Sequence, residues 1–172
     1  TGAYSNVIDY ITIDTTGNGT DFGDVTVARG GATSCSSRTR GLFAAGDSGS
    51  GGLNVIDYVT IATIGNAIDF GDRTISKSNP GACSSQTRGI FAGGQTTNVI
   101  QYITISVTGD TTDFGDLTVG RLDPNGGQVN STTRGVFMGG NSGSVNDTID
   151  YITIGSTGNA SDFGNLVAAT AG

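Results

Sequence analysis

The apolar positions fall into short runs that return along the chain. NVIDYITI at 6–13 carries β-branched or aromatic side chains at most positions and reads as a strand buried on both faces. It recurs as NVIDYVTI at 54–61, NVIQYITI at 98–105 and DTIDYITI at 147–154. A second run, TDFGDVTVAR at 20–29, returns as IDFGDRTISK at 68–77, TDFGDLTVGR at 112–121 and partly as SDFGNLVAAT at 161–170. A third, TRGLFAAG at 39–46, returns as TRGIFAGG at 87–94 and TRGVFMGG at 133–140. The tyrosines Tyr10, Tyr58, Tyr102 and Tyr151 are 48, 44 and 49 residues apart. Short strands repeating at that period predict propeller blades rather than a helical solenoid.

Each unit then holds four strands. Strand a lies around Cys35 (ATSCSS), b is TRGLFAAG, c is NVIDYITI and d is DFGDVTVAR, with turns such as TTGNGT between c and d. The chain forms a single repeat domain over 1–172: a leading c–d pair at 6–29, then units at 32–77, 80–121 and 127–170. That is fourteen strands, three and a half units, whereas closed propellers use four to eight. Two copies would supply seven; otherwise the chain is part of a longer ring or fibre. A lone open stack would leave sheet faces and an edge uncovered.

Composition agrees and removes several functions. There are 30 Gly and no His or Trp among 172 residues, and all 15 acidic residues are Asp. Without Glu and with one Lys the chain is poor in helix formers. Without His it lacks the commonest general base and metal ligand. The net charge of −7 and scattered cations argue against nucleic acid as a partner. No apolar run is long enough for a transmembrane helix, so membrane insertion is not expected. TGAYSN has neither the basic start nor the apolar stretch of a signal peptide and no Met, as in a processed chain or a segment of a longer one.

A strand ending in double glycine (Gly93-Gly94, Gly139-Gly140), then a Tyr strand (Tyr102, Tyr151), then an aromatic strand ending in Arg, resembles the kelch repeat. Phe22, Phe70, Phe114 and Phe163 stand where kelch has Trp, a departure from the pattern. The wording of the repeats is also similar to structural proteins of marine bacteriophages, cyanophages in particular, over about 165 residues. The resemblance implies an all-β, kelch-like β-propeller segment of a six- to eight-bladed ring. It also implies a virion, extracellular or cell-surface setting, such as a tail fibre or host-attachment part.

Interval comparison locates the variable parts. Tyr to Phe across the c–d turn is 12 residues in every copy, and strand a to the TRG arginine is 5. The b–c connection takes 8, 4 and 7 residues, and d–a takes 6, 6 and 8. In a meander these two connections emerge at the same end of the sheet, so loops carrying Asp47, Ser48, Gln95, Thr96, Asn125 and Asn141 form the candidate recognition face. Tolerance of insertions at that end explains the variation equally simply.

The DFGD motif sets Asp21, Asp69 and Asp113 three residues before a second Asp. Oxygen ligands for Ca²⁺ are conceivable there, but the dense spacing of a calcium loop is missing, and turn capping or pairing with Arg is the simpler role. Arg40, Arg88 and Arg134 recur before glycine, and Arg29 and Arg121 end strand d; a ring of arginines would suit an anionic sugar or carboxylate, and pairing of repeated Arg with repeated Asp, such as Asp9, Asp57 and Asp150, between units is the structural alternative. Cys35, Cys83 and Val129 share one position, a small apolar slot rather than a disulfide pair.

No cofactor, metal or catalytic set is expected. Galactose oxidase and sialidase propellers resemble the architecture, but the first needs His and the second an acidic partner for an Arg triad, and Glu is missing. The expected function is non-enzymatic: a structural or attachment module, a platform for protein contacts in a virion, for self-association completing a propeller, or for weak glycan recognition. The alternative is a soluble carbohydrate-binding lectin, which the absence of aromatics from the variable loops disfavours.

Overall fold

The computed structural model describes residues 4–124 and 129–171. It is all-β and holds four antiparallel sheets in sequence order. Sheet 1 pairs β1 (Ser5–Tyr10) with β2 (Thr20–Arg29). Sheet 2 is the meander β3 (Thr33–Ser36), β4 (Arg40–Ala44), β5 (Val55–Thr60) and β6 (Ile68–Asp72). Sheet 3 repeats it with β7 (Gly81–Ser84), β8 (Arg88–Ala92), β9 (Val99–Thr104) and β10 (Thr112–Asp116). Sheet 4 holds β11 (Arg134–Met138), β12 (Asn146–Thr153) and β13 (Ser161–Thr170).

Strand alternation decides how the sheets stack. On β5, Ile56 and Tyr58 point to sheet 3 while Asp57 and Val59 point to sheet 1. Three cores result. Phe22 and Val25 meet Val59 and Ala67 between sheets 1 and 2. Leu42, Ile56 and Phe70 meet Phe91, Ile103 and Ile105 between sheets 2 and 3. Ile90, Ile100 and Phe114 meet Phe137, Ile152 and Ile154 between sheets 3 and 4. Burial on both faces is why the c strands read as near-continuous apolar runs.

The predicted a–b–c–d order holds, with two differences. Thirteen strands form among the described residues instead of fourteen. The last a strand is reduced to a bridge between Asn130 and Gly135, and Val129 is exposed where Cys35 and Cys83 are buried. The reason is positional: Cys35 is covered by Gly89 of the next sheet and Cys83 by Gly135, whereas no sheet follows sheet 4 among the described residues. The d strand also stops early in sheets 2 and 3, at Asp72 and Asp116. Beyond them the Arg73 and Leu117 amides donate to the Asn54 and Asn98 carbonyls. Both cysteines are free, and burial pushes their thiols up to about 12.

A bulge marks every c–d pair. Asp57 faces Asp69 and Ile56 faces Gly71, so Phe70 is an extra residue on β6; Phe22, Phe114 and Phe163 are extra in the same way. The glycine after each Phe has φ of 137–144°. A Cβ on Gly23, Gly71 or Gly115 would lie 2.5 Å from the backbone of Gly65, Gly109 or Gly158 in the following sheet. Gly164 has the same backbone but open space around it. Replacing Gly115 with Ala therefore adds a clash to the backbone strain, and replacing Gly164 adds strain alone. Urea unfolding is expected to show a loss of about 3 kcal/mol or more for Gly115→Ala and about 1 kcal/mol for Gly164→Ala.

Candidate functional site

The conspicuous polar motifs of the sequence meet at the joints between sheets. Because the bulged Phe is unpaired within its own sheet, its carbonyl is free to accept a hydrogen bond from outside. The Gly65 amide donates to the Phe22 carbonyl at 2.8 Å, Gly109 to Phe70 at 2.7 Å and Gly158 to Phe114 at 2.7 Å. Two residues on, Ala67, Thr111 and Ala160 donate to the carbonyls of Asp24, Asp72 and Asp116, each at 2.8 Å. The residue between closes the clamp: the side-chain oxygens of Asn66, Asp110 and Asn159 accept from those same Asp amides at 2.9–3.1 Å. The Gly-Asn/Asp turn and the DFGD motif are thus donor and acceptor of one device.

The DFGD carboxylates themselves do modest work. Asp21 and Asp162 each accept from the glycine amide two residues on, at 3.1 Å, the capping role a turn aspartate is suited to. Asp69 and Asp113 are exposed at the same place in the middle sheets. Partial burial raises the Asp72 carboxyl, and the nearby charges of Asp110 and Asp69 raise it further. Among the described residues no group of three or more acidic or Cys side chains is placed to hold a metal ion.

Under the clamp lies a buried ion pair. Arg29 donates to Asp57 and Arg121 to Asp150, the latter at 2.8 Å, with all four side chains buried. The Thr26 and Thr118 hydroxyls complete each carboxylate at 2.6 and 2.5 Å. Pairing of repeated arginines with these aspartates between units was expected of both arginine sets; the strand-d arginines make it, and for the TRG arginines it is corrected. Asp57 faces the preceding sheet, so its cation comes from the end of that sheet's d strand. The TRG arginines Arg40, Arg88 and Arg134 instead lie 4.4, 4.7 and 4.4 Å over Tyr58, Tyr102 and Tyr151 of their own sheets. From there Arg40 and Arg88 reach the Ile105 and Ile154 carbonyls of the following sheet at 2.8 and 3.0 Å.

The middle joint is built differently, which the sequence reading missed. Gln101 stands where the other sheets have Asp, and the cation moves to Arg73. Its Nε donates to Gln101 at 3.3 Å and its Nη1 to the Lys77 carbonyl at 3.2 Å, while buried Nη2 has no partner among the described residues. Gln101 in turn donates to Thr74. The signal was present: Asp becomes Gln at 101 in the repeat following the one that has Lys at 77 instead of Arg. Burial without a counter-ion lowers Arg73 to about 10. Its charge is therefore a standing cost below that pH, relieved only as the pH rises toward the ordinary arginine range.

The variable loops do emerge at one end. Asp47 and Gly30 exchange backbone hydrogen bonds, as do Asn141 and Leu122, so b–c and d–a connections lie side by side. Asp47 and Asn141 are occupied structurally: their side chains cap Gly49 and Gly143 at 2.6 and 2.8 Å, and Tyr4 also donates to Asp47. Ser48 is half-buried beside them. Gln95 and Thr96 are exposed, with φ of 44° and 66°, two successive non-glycine residues in the left-handed region. The Gln95 amide donates to Ser78 at 3.1 Å. Asn125 lies outside the described residues.

No protein-family model matches the chain, and no curated protein is similar to it. The fold and its joints define an all-β repeat protein of serially stacked antiparallel sheets.

Two substitutions test the buried charges. Gln101→Glu gives Arg73 a counter-ion in nearly the same volume and is expected to stabilise by about 1 kcal/mol at pH 7. A carboxylate held below its unfolded value contributes above that value, so the gain must vanish as the pH falls through about 4. Asp150→Asn leaves Arg121 buried without its anion and is expected to cost about 3 kcal/mol by urea denaturation.

Proposed function

We propose that this chain is a non-enzymatic structural or attachment module, a kelch-like propeller segment serving as a rigid platform in a virion or surface appendage. The observation that carries the reading is the use of the repeated polar groups. Clamp amides, buried arginines and the TRG arginines Arg40 and Arg88 are taken up in joining sheets, and only the b–c and d–a connections differ in length from copy to copy. A scaffold whose recurring chemistry serves its own assembly, with variation confined to one end, suits contact with a partner better than turnover of a substrate. The strained, exposed Gln95-Thr96 pair sits at that end. The repeat wording similar to cyanophage structural proteins supports the virion setting, with protein partners or a surface glycan as what the face would meet.

The test is binding of the purified chain to a panel of surface polysaccharides and to virion proteins. Replacing Ser48, Gln95 and Thr96 together by Ala is expected to lower binding at least about tenfold. Replacing Ser106 and Thr157, in turns at the opposite end, leaves it unchanged. Equal damage from both sets, or release of product from any polysaccharide, overturns the reading.

A further inference from the structure

Each of sheets 1 to 3 presents a bulged Phe, its carbonyl and the next-but-one carbonyl to the following sheet. Each of sheets 2 to 4 presents a Gly-Asn/Asp turn and the apolar c strand to the preceding one. Among the described residues two halves are therefore left unfilled. On sheet 4, Phe163 is 56% exposed, whereas Phe22, Phe70 and Phe114 are 8%, 2% and 2% exposed. The space beside Gly164 is open, and Arg134 stacks on Tyr151 with no carbonyl partner among the described residues. On sheet 1, Ile11 and Ile13 are 65% and 92% exposed, while Ile103, Ile105, Ile152 and Ile154 are 1–3% exposed. Gly17, Asn18 and Gly19 occupy the places of Gly65, Asn66 and Ala67, whose amides and side chain meet the preceding sheet.

We infer that these two ends are complementary halves of one further joint, and that a second copy of this chain docks its sheet 1 onto sheet 4 of the first. Three joints inside the molecule define the contacts. The Gly17 amide donates to the Phe163 carbonyl, and the Gly19 amide to the Asn165 carbonyl. Asn18 accepts from the Asn165 amide, and Arg134 donates to the Ile13 carbonyl. Phe163 covers Ile11 and Ile13, so two isolated apolar patches become one core.

The intermolecular joint is weaker than the internal ones for two reasons visible in the sequence. Among the described residues sheet 1 has no b strand, so nothing there corresponds to Phe91 or Phe137 of the internal cores. Asp9, equivalent to Asp57 and Asp150, meets Val167 and Thr170 where those aspartates meet Thr and Arg. The contact is heterologous, joining unlike surfaces, so copies joined at both ends form a ring and otherwise continue as a filament. This specifies the self-association in the reading above and rests on that reading only there. Binding by the loop face is assayed separately and is unaffected if the joint fails.

Light scattering at about 100 μM, where a micromolar interface is saturated, is the experiment. Wild type is expected to run as a dimer or larger. Phe163→Asp and Ile13→Asp each alter an exposed side chain, keep the circular dichroism of wild type, and are expected to be monomers alone. Mixed in equal amounts, they must associate as dimers, because each retains the half that the other has lost. Thr170→Arg in the wild-type background supplies the missing cation for Asp9 and is expected to tighten association about tenfold. A monomeric wild type, an Ile13→Asp variant that still self-associates, a mixture that stays monomeric, or no tightening by Thr170→Arg overturns the proposal.

Discussion

The hydrogen bond from a turn glycine to the carbonyl of a bulged phenylalanine is the contact on which the rest of this architecture depends. A regular ladder would satisfy every backbone group inside its own sheet and leave only side chains to join one sheet to the next. The extra residue at Phe22, Phe70 and Phe114 breaks that self-sufficiency once per sheet. It turns an aromatic ring into the core and a carbonyl toward the neighbour, and both become satisfied only when the neighbour is there. The close approach this requires explains why glycine stands on both sides of each joint, Gly71 against Gly109 for example, with 2.5 Å between an added Cβ and the facing backbone.

Charge burial follows from that approach. Once sheets lie so close, a polar residue on the inner half of strand c has no route to water, and Asp57 and Asp150 survive there only because an arginine and a threonine arrive from the preceding sheet. The middle joint shows that an ion pair as such is not required. Gln101 and Arg73 fill the site with one charge instead of two, and among the described residues Nη2 of Arg73 has no partner, as is also true of Nε of Arg29 and of Arg121. Buried pairs of this type contribute more to fixing which residues face each other than to net stability.

Strand identity and order were legible because strands c and d recur four times and a and b three times, and period-2 alternation fixes the faces. The end at which the loops emerge was legible too, since a meander alternates its connections. That arginine and aspartate pair between units was legible as well, but not which arginine does so. The TRG arginines and the c-strand aspartates repeat with the same period, so spacing alone allowed them to be partners. The register places Arg40 opposite Thr60, diagonal to Tyr58 on the same face, whereas Asp57 points the other way, toward Arg29. Sidedness, which decides between two arginines at equal intervals, appears only once the sheets are stacked. The bulge was equally hidden, because an extra Phe in DFGD looks in sequence like any other strand residue.

The two cysteines give this stacking a readout. Cys35 and Cys83 are each pressed against a glycine of the following sheet, and their thiols stay protonated far above neutral pH. A thiolate, the reactive form, arises when water enters, and water enters when two neighbouring sheets part. Alkylation at Cys35 consequently times the opening of sheet 2 from sheet 3, and alkylation at Cys83 times the opening of sheet 3 from sheet 4. The molecule carries two separate clocks for local unfolding, one per seam, with no label to introduce.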